Sequence, residues 1–77
     1  MVRFETLKSE EMRFGRNKFI EVARKRAITQ EGENEFISLS RGFYTRSGKK
    51  RYRSNFALPI NDEVVAFVVE KIREMLI

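Results

Sequence analysis

The chain has 77 residues, a length that suits one small domain with a marginal core, since a domain of this size buries only about 60% of its unfolded surface. It contains no cysteine and no histidine, which excludes disulfides, thiolate metal sites and the commonest general base. No apolar stretch approaches the roughly 18 residues of a membrane helix, and the amino terminus lacks a signal-peptide core. We therefore expect an intracellular protein, cytoplasmic or nucleoid-associated.

Charge is distributed unevenly along the chain. The net charge is +5, but residues 12–56 carry twelve basic and four acidic side chains, so this segment alone has a net charge of +8. A field segregated in this way attracts a polyanion to one region of the molecule. We expect the partner to contact the middle of the chain.

The first half of the chain is predicted to form β-strands. Residues 1–11 begin with an alternating pattern that predicts a short additional strand, although the same residues would also suit a helical turn. Residues 13–28 predict a long strand, with Gly15 at a bend or bulge. The polar loop 29–34 has a central glycine, which predicts a hairpin connection.

Residues 35–45 and 49–58 predict two further strands, joined by a tight turn at 46–48. In the first of these strands, one side is the better core candidate near its start, while its far end is mixed: Ile37, Leu39, Arg41 and Phe43. In the second, one side is predicted to be mainly aromatic and aliphatic: Lys50, Tyr52, Ser54, Phe56 and Leu58. The other side presents a row of cations, and Pro59 ends the strand because it cannot donate to a ladder.

Residues 61–76 predict one helix, with Asn61 as N-cap and two acidic residues in the first turn. Its apolar residues span an arc of roughly 200°, which is wider than the stripe needed to cover one sheet. We expect two such helices, each lying on its own sheet, to meet in a homodimer, with a partly exposed helix as the alternative. The expected dimer contact comprises Val65, Phe67, Val68, Val69, Ile72, Met75 and Leu76.

Basic residues on neighbouring predicted strands indicate a nucleic-acid site. Strands of a meander lie about 4.8 Å apart, so cations on successive strands form a patch whose spacing suits a phosphate backbone. The alternative is a hairpin tip whose charges are only solvated. The candidate cations are Arg16, Lys18, Arg24, Lys25, Arg26, Arg41, Arg46, Lys49, Lys50, Arg51 and Arg53.

Aromatic residues are interleaved with these cations. Phe43, Tyr44 and Tyr52 are candidates for stacking on unpaired bases, which favours single strands over duplex, and a place in the core is the alternative for each ring. No paired carboxylates and no nucleophile-and-base set stand out, and the glutamates near residues 31–35 lack the pattern of a calcium loop. We expect no catalytic role, no cofactor and no metal ion.

Two segments, Phe14–Val22 and Phe36–Phe43, resemble the DNA-binding domain of the positive cofactor four family of transcriptional coactivators. The likeness extends over about residues 12–76. It implies a whirly-like fold in which a curved antiparallel sheet is followed by one helix. It also implies that two chains dimerise through their helices and that their sheets form a cradle for single-stranded DNA.

The same resemblance implies roles for individual residues. Arg16 falls at a basic position of the family pattern, Phe43 falls near an aromatic that stacks on bases, and Arg51 and Arg53 lie close to further basic positions. The chain departs from the pattern at Lys25, where the family usually has a stacking aromatic.

These features predict one α+β domain over residues 1–77, with an antiparallel β-meander over 12–58 and a carboxyl-terminal helix. The predicted function is homodimeric binding of single-stranded DNA in transcription or genome maintenance. One alternative is an RNA-binding or ribosome-associated module. Another is a protein-interaction module whose basic sheet recognises an acidic partner. No membrane and no small-molecule substrate are expected.

Overall fold

The computed structural model describes all residues from 1 to 77. Four strands, β1 (Arg3–Phe14), β2 (Lys18–Thr29), β3 (Gly32–Tyr44) and β4 (Lys50–Pro59), form one open antiparallel sheet in chain order, and a single helix, α1 (Asp62–Met75), follows. The predicted α+β arrangement of an antiparallel meander and a carboxyl-terminal helix is confirmed. The helix is neither long nor apolar enough to cross a membrane.

The first two strands differ from their predicted bounds. The additional strand expected within residues 1–11 is present, and it continues to Phe14. The single long strand expected over 13–28 is wrong, because a turn separates β1 from β2 at residues 15–17. Gly15 and Asn17 both have left-handed backbone conformations, with φ of 58° and 68°. Glycine and asparagine adopt this conformation most readily, so the chain reverses where only a bend was expected.

Cross-strand pairing divides the side chains between two faces, since residues directly opposite each other share a face. We name the two faces after neighbouring residues of β2. The Phe19 face contains Phe19 and its partner Gly42, and the Ile20 face contains Ile20 and its partner Arg41. The most buried side chains lie on the Phe19 face: Phe19, Ala23, Ser38 and Ser40. On the Ile20 face only Leu58, the partner of Ile37, is buried, so the expected core on the Ile37 side is found only near the start of β3.

Two buried serines, Ser38 and Ser40, occupy the centre of the Phe19 face, where apolar side chains would be usual. Their burial is tolerated because both hydroxyls form hydrogen bonds. The Asn55 side-chain amide donates to the Oγ atoms of both Ser38 and Ser40, at 2.8 Å each. A buried hydroxyl costs little once it is hydrogen-bonded.

A β-bulge reverses the predicted sides of β4. Arg41 pairs with Ser54 but Gly42 pairs with Tyr52, so Arg53 is an extra residue in the ladder. Lys50 and Tyr52 consequently lie on the Phe19 face. The remaining residues that were predicted to share their side lie on the Ile20 face: Ser54, Phe56 and Leu58.

The helix begins as predicted, since the Asn61 side chain accepts a hydrogen bond from the Val64 N–H at 3.1 Å. The expectation that it lies on its own sheet is wrong: α1 approaches only β4, and none of its residues is buried. Val65 and Val68 are half-buried, while Phe67, like other apolar residues of α1, remains exposed. Most of the apolar arc of the helix is therefore uncovered within one chain.

Substituting Gly42 with alanine is expected to destabilise the fold. A Cβ at this position would overlap the Arg51 carbonyl oxygen and meet the Phe19 ring at 2.8 Å. Overpacking of this kind costs about 1–3 kcal/mol, whereas the exposed Thr6→Ala control should change the free energy of unfolding by less than about 0.5 kcal/mol. Urea denaturation measures both changes. Equal effects of the two substitutions would contradict the close packing of Gly42 against Phe19.

Candidate nucleic-acid interface

Unpaired cations collect at one end of the sheet, where the β1–β2 turn and the β3–β4 loop lie. We name this region the basic end and define it by seven residues: Arg16, Lys18, Arg41, Arg46, Lys49, Arg51 and Arg53. None of the seven has a carboxylate within 4.0 Å. The region therefore carries a concentrated positive charge that the protein itself does not neutralise.

A row of four residues crosses the Ile20 face at this end of the sheet. Phe14, Lys18, Phe43 and Arg51 are successive partners on the four strands, so aromatic rings and cations alternate. Phe14 is 46% exposed and Phe43 is 37% exposed. The two rings are two strand spacings apart, about 10 Å. The row offers stacking surfaces for bases beside charges for phosphates.

A cavity of about 530 Å³ adjoins this row. The bulge brings Arg53 into the same cavity wall as Arg41, whose Nε donates to the Ser54 hydroxyl at 3.1 Å. Four cations of the basic end line the cavity and no carboxylate does: Arg16, Lys18, Arg41 and Arg53. Both rings of the row, Phe14 and Phe43, also line it. The cavity can hold an anion next to a planar ring.

Three cations of the predicted site lie elsewhere. Arg24 and Arg26 are neutralised towards the opposite end of the sheet, where Arg24 Nε contacts the Glu35 carboxylate at 2.8 Å. The pKa of Glu35 is held below its usual value by its hydrogen bond from Arg24. Carboxylates around Arg26 complete the cluster: Glu5, Glu33 and Glu35. Lys25 pairs with Phe36 on the Phe19 face, so the structure does not bring these three cations to the basic end.

Lys50 is also neutralised, on the Phe19 face. Its ammonium lies 4.6 Å from the centre of the Phe19 ring and contacts the carboxylates of Glu11 and Glu21. These two glutamates are direct cross-strand partners, so Lys50 offsets the repulsion between them. Its hydrogen bond to Glu11 raises the pKa of Lys50 and lowers that of Glu11. Lys50 therefore stabilises the sheet and does not add free positive charge to the interface.

The two tyrosines predicted to stack on bases instead form hydrogen bonds to the glutamates around Lys50. The Tyr44 hydroxyl donates to Glu11, and the Arg13 guanidinium lies 3.9 Å from the centre of the Tyr44 ring. The Tyr52 hydroxyl donates to Glu21 at 2.9 Å, although 55% of the residue is exposed. Partial desolvation of its hydroxyl raises the pKa of Tyr52. Phe43 is thus the only predicted aromatic that lies in the row of the basic end.

Sequence reasoning missed Phe14 as a candidate site residue. The turn at Gly15–Asn17 sets its partner, because a chain reversal there places Phe14 opposite Lys18. The glycine followed two residues later by an asparagine was the signal that could have identified this turn.

Comparison of the chain with protein-family models, with curated proteins and with solved structures found no match. The likeness to the positive cofactor four family stays a prediction. No group of three or more His, Cys, Asp or Glu side chains is arranged to hold a metal ion.

Replacing Lys50 with methionine is expected to lower thermal stability most at neutral pH. In the native protein the lowered pKa of Glu11 contributes stability above the unfolded value of about 4.3, and this is lost as the pH falls through the lowered folded pKa. In Lys50→Met the two facing glutamates repel each other until they are protonated. The deficit relative to the native chain should therefore shrink between pH 7 and pH 3.

Melting curves recorded by circular dichroism across this pH range measure the deficit in thermal stability. Lys25→Met serves as the control because Lys25 lies on the same face without a carboxylate partner. A Lys50→Met deficit that is the same at both pH values would contradict a charge-neutralising role.

Proposed function

We propose that this protein binds single-stranded DNA at the basic end of its sheet and has no catalytic role. The observation that carries the proposal is the row of alternating aromatic and basic residues beside a cavity lined by four unpaired cations. A process in transcription or genome maintenance fits the resemblance of the sequence to transcriptional coactivators.

The charge pattern favours a polyanion as the ligand. Arg16, Arg41 and Arg53 face one cavity without carboxylate partners, so they repel one another in the free protein. Phosphates would relieve that repulsion and release condensed counterions from the nucleic acid. Guanidinium groups also bind phosphate oxygens in a bidentate manner.

The aromatic residues favour unpaired bases over a duplex. Phe14 and Phe43 are partly exposed on one face of the sheet, and stacking on such rings contributes about 1–3 kcal/mol per base. A duplex buries the faces of its bases and would gain none of this energy. The helix, which could otherwise enter a groove, follows the far end of β4 and carries Asp62 and Glu63 in its first turn.

Removing one cavity arginine is expected to weaken binding about tenfold. Arg53→Ala should lower affinity for an oligothymidylate at moderate salt and reduce the slope of log affinity against log salt by about 1, because one phosphate contact is lost. Lys25→Ala is the matched control, since Lys25 is also unpaired but lies on the Phe19 face. Fluorescence anisotropy at several salt concentrations provides both quantities.

The same titrations include a hairpin duplex and an RNA strand of equal length. The proposal predicts tighter binding of the DNA single strand than of either competitor. Duplex affinity equal to that of the single strand would contradict the stacking argument, and tighter RNA binding would favour the RNA-binding alternative. Equal losses in Arg53→Ala and Lys25→Ala would contradict the assignment to the basic end.

We further propose that two copies of the chain form a homodimer. The accessible surface is 6727 Å². A compact monomer of 9.2 kDa has about 4,900 Å², so about 1,800 Å² is in excess. Obligate dimers bury about 1,000–2,500 Å² on each partner, which matches this excess. The radius of gyration of 14.6 Å also exceeds the value of about 11.5 Å for a compact chain of this length.

The excess surface is largely apolar. On the helix, Phe67, Val69 and Ile72 are each more than half exposed, and the terminal residues Met75 and Leu76 are more exposed still. On the Ile20 face, further apolar side chains are exposed: Met12, Ile20, Val22 and Phe56. Exposed apolar surface of this extent is typical of an interface. A second copy supplies the same surface with two-fold symmetry, so each chain would cover the other.

The dimer should sediment at twice the mass of 9.2 kDa at micromolar concentration. Ile72→Glu is expected to shift the equilibrium to the monomer and lower thermal stability, because it introduces a charge into an apolar contact. Glu70→Gln, a neighbouring substitution on α1 that adds no charge, should leave the mass unchanged. Sedimentation equilibrium gives the masses, and a monomeric native chain would contradict the proposal.

A further inference from the structure

We propose that the cavity at the basic end prefers the end of a DNA strand that carries a terminal phosphate over an internal segment. This inference rests on the proposed function and specifies its ligand. Positive charge is concentrated here, because four cations line one cavity of about 530 Å³ and none has a carboxylate partner.

The charge suits a phosphomonoester better than a phosphodiester. An internal phosphodiester carries one negative charge, whereas a monoester carries about −1.5 to −2 at pH 7 and presents three acceptor oxygens. Three arginines and one lysine line the cavity as donors, and charge-assisted hydrogen bonds to phosphate oxygens are about twice as strong as neutral ones. A terminal phosphate therefore neutralises more of the cavity than a passing backbone does.

The position and size of the cavity suit a chain end. It lies at the end of the sheet beside the turn at Gly15–Asn17, and its lining includes the last paired row of β1 and β2, Phe14 and Lys18. The Asn17 carbonyl accepts a hydrogen bond from the Tyr44 N–H at 2.7 Å, which fixes the turn to β3 and fixes the backbone that carries Arg16. The volume falls in the range of sites for one small ligand, so it suits a single terminal nucleotide. Phe14 and Phe43 lie within reach of the bases.

The composition of the chain supplies an independent readout. The second ionisation of a phosphomonoester has a pKa of about 6, and the chain has no histidine, so no side chain with an ordinary pKa titrates between pH 5.5 and pH 7. A loss of preference over this interval therefore reports the protonation of the ligand.

The experiment compares oligothymidylates of one length that carry a 5′ phosphate, a 3′ phosphate or hydroxyls at both ends. Isothermal titration at pH 7 should show one phosphorylated strand binding about five- to tenfold more tightly than the hydroxyl-ended strand. The preference should shrink at pH 5.5 and should disappear in Arg16→Ala. Lys25→Ala, the control outside the cavity, should keep it. Thymidine 5′-monophosphate should bind much more weakly than the phosphorylated strand.

The possible failures are distinguishable. Equal binding of all three strands would overturn this inference and leave the proposed function intact, whereas no binding of any strand would overturn the proposed function itself. A preference that survives in Arg16→Ala would overturn the assignment to the cavity. Equal affinity for the mononucleotide and the phosphorylated strand would show a free-nucleotide site and overturn the strand-end inference.

Discussion

The structure depends on the burial of one aromatic ring in a sheet that has no second layer covering it. Phe19 is fully buried, and its cover consists of side chains from neighbouring strands: Lys50 lies over the ring, and Tyr44 and Tyr52 pack around it. Gly42 is required opposite it because any side chain would collide. The ammonium of Lys50 can occupy this position only because Glu11 and Glu21 neutralise it. The packing of Phe19 and the neutralisation of Lys50 on this face therefore depend on each other.

The ion pairs of the sheet determine where unpaired positive charge remains. Five glutamates of the sheet belong to two clusters, one around Lys50 on the Phe19 face and one around Arg24 and Arg26 towards the β2–β3 turn: Glu5, Glu11, Glu21, Glu33 and Glu35. No carboxylate lies within 4.0 Å of the seven cations at the opposite end. A modest net charge of +5 thus becomes a local excess that can attract a polyanion. The same separation leaves the acidic first turn of α1 away from the basic end.

Local signals in the sequence predicted the order of elements, while the details of the site depended on long-range pairing. Asn61 and the acidic residues after it identified the start of the helix, and alternation identified the strands. The bulge at Arg53 was not predictable from alternation, because one extra residue exchanges the two faces of a strand without changing its composition. The neutralisation of Lys50 involves Glu11, 39 positions away in the chain. Sequence patterning therefore overestimated the patch by including Arg24, Lys25, Arg26 and Lys50.

An NMR titration tests the location of the nucleic-acid site at the basic end most directly. A ¹⁵N-labelled sample titrated with a short oligothymidylate should show its largest shifts at the turn and strand ends of the basic end, including Arg16, Lys18 and Phe43. Residues of the Phe19 face near Lys25 should shift little. Largest shifts around Lys25 and Ser38, with the basic end unaffected, would contradict the account because the ligand would then occupy the opposite face of the sheet.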